Sequence, residues 1–240
     1  MGNRVALVLE DGMRLGTAGD LIGTTLIDKE SGAANLSWSP DGGKLAYWRD
    51  GELWLWREQT SRMVWKVETE AMSRPRWTWR SFWDPAGGLF AVKSGLGNTQ
   101  LYRVNEGGGA SPVETRLCHR LDTIGSVLVQ EKWVAVVSRD DYGDALDLCV
   151  RRTNKSYSQT SKWHWRIQDH SIAAVAFEKD NSGLYVAVLD PDGESSIYFL
   201  NIADQSEDKE WSGDARVLAI QPTQDRVLML ERGTPTFRPL

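Results

Sequence analysis

The feature that most limits what this chain can fold into is a pattern that repeats. Residues 35–67 read as four short strands in succession. Asn35–Trp38 runs into the turn Ser39-Pro40-Asp41-Gly42-Gly43, and Lys44–Trp48 follows. The loop Arg49-Asp50-Gly51 then leads to Glu52–Trp56, and Met63–Val67 closes the unit. Apolar residues at alternating positions mark the strands, and Pro-Asp-Gly and Asp-Gly supply the left-handed backbone that tight turns demand. No stretch carries a helical apolar period of useful length, so the class is all-β.

The same grammar recurs. Ser81-Phe82-Trp83-Asp84-Pro85-Ala86-Gly87-Gly88 repeats the strand and turn of residues 37–43, and Leu89–Val92 and Gln100–Val104 follow it. Further copies start at Ser126–Val129, at Ala174–Phe177 and at Val217–Gln221. Trp38, Trp83, Phe177 and Ile220 act as anchors and stand about 45 residues apart, or twice that where one anchor is skipped. One four-stranded unit of this length cannot bury both of its faces, so units must stack in a ring. The expected architecture is a β-propeller of four-stranded antiparallel blades forming a single domain over 1–240. The expected blades are approximately 33–70, 77–118, 123–168, 172–212 and 215–240, with the N-terminal strand 20–27 completing the last blade and closing the ring. Five blades is the first expectation. Residues 4–16 also look like a hairpin of a further blade, so six blades, or a fragment of a longer propeller, are the alternatives.

Ser39-Pro40-Asp41-Gly42-Gly43-Lys44-Leu45-Ala46, followed by Asp50-Gly51-Glu52-Leu53-Trp54-Leu55-Trp56, resembles the repeat shared by TolB-type and WD-repeat propellers. Asp180-Asn181-Ser182-Gly183-Leu184-Tyr185, with Asp192-Gly193 and Ile197-Tyr198 after it, is similar to a second copy. The resemblance covers residues 33–230 as repeat grammar. It departs from the WD pattern in lacking a Gly-His pair before each blade and a Trp-Asp pair closing it. It implies the propeller fold and names no ligand.

Composition narrows the function classes. Charged residues make up 25% of the chain and the formal net charge is -5, which disfavours general binding of nucleic acid or anionic lipid. No run of about 18 apolar residues exists for a membrane helix. The opening MGNRVALVLEDGMRLG has neither the apolar core of a signal peptide nor the hydroxyl residue of a myristoylation site. Cys118 and Cys149 form no CxxC and no evident disulfide framework, so the expected setting is reduced and cytoplasmic.

The candidate chemistry is sparse. There is no GxSxG elbow, and His119, His164 and His170 are the only histidines. No His/Cys spacing suits zinc. Asp140-Asp141-Tyr142-Gly143-Asp144 and Asp190-Pro191-Asp192-Gly193 are oxygen-rich, but turn conformation accounts for them without calcium. Neither a catalytic residue, a metal nor a cofactor is expected. The 12 tryptophans, against 5 Phe and 6 Tyr, divide in two. Trp38, Trp48, Trp83 and Trp133 read as core, whereas Trp54/Trp56, Trp77/Trp79 and Trp163/Trp165 are pairs sharing one strand face.

The candidate site is Ser73–Arg80, where one blade crosses to the next. Arg74, Arg76 and Arg80 with Trp77 and Trp79 form a cationic, aromatic patch in an acidic protein, of the composition that anchors protein interfaces. His119 and His170 are additional candidates. The expected function is a non-catalytic scaffold for a protein or peptide partner of acidic character. A carbohydrate-binding propeller with paired Trp platforms is the alternative, and a propeller enzyme or accessory domain of a hydrolase is the weaker one.

Overall fold

Every sheet of this protein is built from strands whose neighbours in sequence are their neighbours in space, as short hairpins dictate. The computed structural model describes residues 4–17, 20–29, 32–67, 78–95, 98–113, 117–118, 123–130, 132–151, 157–221, 225–231 and 234–240. Blade 1 holds β1 (Arg4–Leu9), β2 (Gly12–Thr17) and β3 (Asp20–Asp28). Blade 2 holds β4 (Ala34–Trp38), β5 (Lys44–Arg49), β6 (Glu52–Arg57) and β7 (Thr60–Lys66). Blade 3 holds β8 (Thr78–Trp83), β9 (Leu89–Gly95), β10 (Asn98–Val104) and β11 (Ala110–Val113). Blade 4 holds β12 (Thr123–Val129), β13 (Trp133–Asp140), β14 (Gly143–Arg151) and β15 (Tyr157–Arg166). Blade 5 holds β16 (Ser171–Phe177), β17 (Gly183–Leu189), β18 (Ser195–Asn201) and β19 (Glu207–Gly213). Blade 6 holds β20 (Arg216–Gln221), β21 (Arg226–Glu231) and β22 (Thr234–Pro239). All pairings are antiparallel and sequential.

The protein is therefore a propeller of six blades, not five, and the first and last have three strands each. The strand expected to complete the C-terminal blade does not do so. It pairs instead with β2, in the register Arg14↔Leu26 and Leu15↔Thr25. A hairpin partner a few residues away costs far less loop entropy than one across the ring, and the β1–β2 hairpin itself needs a third strand to hide its face.

Six apolar clusters close the ring, one at each junction. Met13, Ala33, Leu45, Tyr47 and Trp56 join blades 1 and 2. Trp48, Leu53, Leu55, Trp83 and Leu89 join blades 2 and 3. Phe82, Val92, Leu101, Val127 and Val136 join blades 3 and 4, and Leu146, Leu148, Phe177 and Val186 join 4 and 5. Ile197, Val217, Val227 and Met229 join 5 and 6, and the seam is Val5 against Leu228, flanked by Leu7, Ala219 and Phe237. The second strand of each four-stranded blade lies between two neighbours, which is why Lys44–Arg49 and Leu89–Gly95 are apolar on both faces and buried almost throughout. The outer strand β19 is exposed along most of its length.

Blade 1 is fastened by polar contacts as well. Tyr47 Oη donates to Asp28 Oδ2 at 2.8 Å and Arg49 Nη1 donates to the same oxygen at 2.7 Å. The Arg49 and Asp28 side chains are 7% and 9% exposed, and the guanidinium lies 4.2 Å above the Trp54 ring. A charge pair so desolvated, with its acceptor doubly used, fixes the angle between the two blades. On the other side of the seam, β22 is blunted. Pro235 and Pro239 pair opposite Leu230 and Arg226, so both stand where no ladder donor is needed, and neither offers an N–H to a further strand.

The turns are built alike. In five of them the first carbonyl accepts the N–H three residues on: Ser39 from Gly42, Asp84 from Gly87, Asn105 from Gly108, Glu178 from Asn181 and Asp190 from Gly193. Each of those donors has positive φ, between 63° and 126°, which is why four are glycine and the fifth asparagine. Asp41, Asp84 and Asp190 each accept a backbone N–H of their own turn.

Cys118 and Cys149 are joined as a disulfide, with a Cα–Cα distance of 6.4 Å, inside the cluster between blades 3 and 4. This corrects the expectation of unpaired cysteines and removes cysteine usage as an argument for a reducing compartment. A spacing of 31 residues hides the pair in sequence, whereas ring packing brings the crossing after β11 against β14. Closing a loop of that length stabilises the fold by about 3–4 kcal/mol in the chain-entropy picture. Chemical reduction, or the double variant Cys118→Ala/Cys149→Ala, is expected to lower unfolding free energy in urea by that amount, and thiol titration of the untreated protein should find both cysteines blocked. The six-blade ring has its own check. A Cβ at Gly12, whose φ is +124°, falls 2.1 Å from the Asp28 carbonyl oxygen. Gly12→Ala is expected to destabilise the protein by about 1–3 kcal/mol in the same assay, an effect that an unpaired N-terminal segment does not produce.

Candidate functional site

The innermost strands β4, β8, β12, β16 and β20 enclose an axial channel of about 410 Å³. Four of these strands carry a register shift at the same level: β4 between Ala34 and Ser37, β12 between Ile124 and Ser126, β16 between Ile172 and Ala174, and β20 between Val217 and Ala219. A bulge inserts a residue outside the ladder and bends the strand, turning backbone groups toward the axis. Asn35, Gly125, Ala173 and Leu218 are the inserted or adjoining residues, and all four line the channel. Asn35 holds a φ of 55°, a conformation asparagine tolerates better than most residues.

β8 is the exception. Its pairing with β9 runs unbroken from Thr78↔Ser94 to Trp83↔Leu89. It carries Arg80, the one charged residue among the described residues that line the channel. Arg80 Nε donates to the Gly125 carbonyl at 2.6 Å, and Nη1 to the Trp79 carbonyl at 2.9 Å. Asn35 Nδ2 donates to the same Trp79 carbonyl at 3.2 Å. Blades 2, 3 and 4 are thus pinned together at the channel wall. Burial lowers the Arg80 pKa, and the charge of Arg139 lowers it further. Arginine keeps its proton regardless, so this is a desolvated cation, and among the described residues no carboxylate pairs with it. Arg139 lies on the same face, at the end of β13 beside the start of β12, and its guanidinium is engaged bidentately by the buried Asp144 at 2.5 and 2.7 Å. Beside Arg80 on β8, Ser81 also borders the channel, but its side chain lies on the opposite strand face, with Trp79 and Trp83 toward blade 2, and its hydroxyl is buried without a hydrogen-bond partner.

The structure brings together only part of the patch read from the sequence. Arg74, Arg76, Trp77 and His119 lie outside the described residues. Arg80 lines the channel. Trp79 is not an open platform: its ring packs among Trp48, Trp65 and Tyr102, with centroids 5.2–5.7 Å away, and Lys93 Nζ sits 5.7 Å from it. His170 is held by its own turn, Nδ1 against the Gln168 carbonyl at 2.7 Å. The other paired tryptophans pack between blades as well. Trp56 is buried against Trp38, Trp54 lies between Tyr47 and Arg49, and Trp163 and Trp165 join the cluster between blades 4 and 5, where Trp165 Nε1 donates to Glu207. Asn35, Ser81 and Gly125 were not legible as site residues. Their signal, small or polar residues in inner strands that otherwise read as apolar, is too common to stand out.

Elsewhere, His164 Nδ1 lies 3.0 Å from the buried carboxylate of Asp147, and among the described residues no hydroxyl or thiol hydrogen-bonds to that ring. The oxygen-rich loop of blade 4 uses Asp140 on Arg166 at 2.7 Å and Asp144 on Arg139 and the Ile172 N–H.

No protein-family model matches the chain, and no curated protein matches it in sequence. Solved structures do share its architecture. TolB from Acinetobacter baumannii superposes with a TM-score of 0.56 at 14% identity over 88% of this chain and 53% of its own. The Cps50 (Swd1) β-propeller domain of Myceliophteria thermophila gives 0.59 at 12% identity over 100% of this chain and 94% of that one. The tricorn protease gives 0.63 at 17% identity over 100% of this chain and 24% of that one. The chain thus spans about half the length of TolB and a quarter of the tricorn protease, and at these identities the likeness is one of fold. Its own turn-and-strand repeat, its six inter-blade clusters and these superpositions make the chain a six-bladed β-propeller with the repeat architecture of TolB-like and WD-like propellers.

Proposed function

We propose that the chain is a non-catalytic docking module that receives a protein partner of acidic character on the face where the channel opens beside Arg80. The observation that carries this reading is the desolvated Arg80 guanidinium, which makes hydrogen bonds to two backbone carbonyls and to no carboxylate among the described residues. Arg139 at the same face is paired with Asp144, so among the described channel-lining residues Arg80 is the uncompensated cation, in a protein whose pI of about 5.3 makes its surface acidic on balance. Such asymmetry steers an acidic partner to one face and away from the others. The paired tryptophans support this reading over a carbohydrate platform, because those that are described pack between blades. Likeness to a WD-type propeller domain is compatible with docking and adds the fold alone.

The test is fluorescence anisotropy with labelled Glu-rich peptides blocked at both ends, beside neutral peptides of the same length. Binding is expected for the acidic series only, weakening several-fold between low and physiological salt as screening shortens the reach of the charge. Hydrogen exchange on the complex should show protection at residues 78–82 and 123–127. Equal binding of the neutral peptides, or protection confined to the outer strands, overturns the proposal.

A further inference from the structure

We infer that the channel is a receptor for a carboxylate group, with Arg80 as its counter-ion. The inference rests on the docking reading of that face and names the chemical group the face receives.

A guanidinium has five N–H donors, and at Arg80 two are used, on the carbonyls of Gly125 and Trp79. Those carbonyls orient the fork without neutralising it. A half-buried charge with no counter-charge among the described residues is costly, and an anion that enters recovers part of that cost. No acidic side chain lines the channel among the described residues, so no protein carboxylate there competes for the cation. The remaining wall is small or apolar, including Gly125, Ala173 and Ala219, and the volume of about 410 Å³ falls in the range of small-ligand sites. The charge count selects the ligand class. One guanidinium matches a monoanion, and its planar fork matches the two oxygens of a carboxylate, whereas a phosphate dianion calls for a second cation in the cavity. The carboxylate has two sources, a small organic acid or the C-terminus of a peptide.

The experiment follows the Arg80 Nε–H resonance of the whole protein by 15N-edited NMR. The additions are sodium propionate, a short neutral peptide with a free C-terminus, the same peptide amidated, sodium phosphate and sodium chloride, all at matched ionic strength. A saturable shift with propionate identifies a small acid, and one with the free-terminus peptide alone identifies a chain end; either supports the proposal. Arg80→Ala is expected to weaken binding, read by calorimetry, roughly tenfold or more. Arg80→Lys keeps the charge and removes the planar fork, so it should fold as the parent does and bind several-fold more weakly. The proposal is overturned when no carboxylate gives a saturable shift, when chloride or phosphate gives the same one, or when Arg80→Lys and Arg80→Ala both bind as the parent does. The docking reading fails separately: blocked acidic peptides then do not bind, whatever propionate does at Arg80.

Discussion

Each sheet in this protein has two faces to bury and only the adjacent sheets to bury them against. That constraint governs the rest. Strands that lie between two neighbours are apolar on both sides, strands at the circumference alternate or become polar, and no blade is stable by itself. It also explains the abundance of tryptophan. Blades diverge from the axis outward, and a large rigid ring fills the widening gap better than two small side chains do. Trp48, Trp65, Trp79 and Tyr102 fill the outer gap between blades 2 and 3, and Trp38 meets Trp56 edge-to-face between blades 1 and 2. Edge-to-face and tilted contacts of this kind add to plain burial.

The same geometry sets the inner wall apart. Near the axis the strands converge, and four of the innermost strands relieve the crowding with a bulge at one level. The unbulged β8 presents a long side chain there instead. Arg80 crosses from blade 3 to a carbonyl freed by the bulge of blade 4, so a structural device and a charged site are the same residue. The outcome, among the described residues, is a channel lined by one cation and by small or apolar residues, a combination that packing alone does not require.

Closure of the ring is achieved by packing and by covalent and ionic fastening, not by a shared sheet. Two three-stranded blades meet at the seam through Val5 and Leu228, and each retains its own hydrogen-bonded order. The Asp28–Arg49–Tyr47 contact anchors blade 1 to blade 2, and Cys118–Cys149 ties the crossing after blade 3 to blade 4. Prolines on β22 leave the final edge without two of its outward donors, which protects a three-stranded blade from pairing with a stray strand.

Sequence by itself determined the class and the unit. Alternation over four to seven residues, punctuated by Pro-Asp-Gly, Asp-Gly and Asn-Ser-Gly, specifies strands and hairpins locally, because side-chain period and turn φ are properties of adjacent residues. Residues 33–67 could be divided into their four strands on that basis, and Asp190 could be read as turn chemistry. Tertiary structure alone decided what depends on residues far apart in the chain. The blade count turned on whether Leu26 pairs with Arg14 or with a strand some 200 residues away, and a hydrophobic pattern is equally satisfied by both. The cysteine pair needed the ring to bring two blades into contact. Trp79 and Arg80 are neighbours in sequence, yet one became inter-blade packing and the other a channel cation. Successive residues on a strand point to opposite sides, and only the assembled ring says what lies on each.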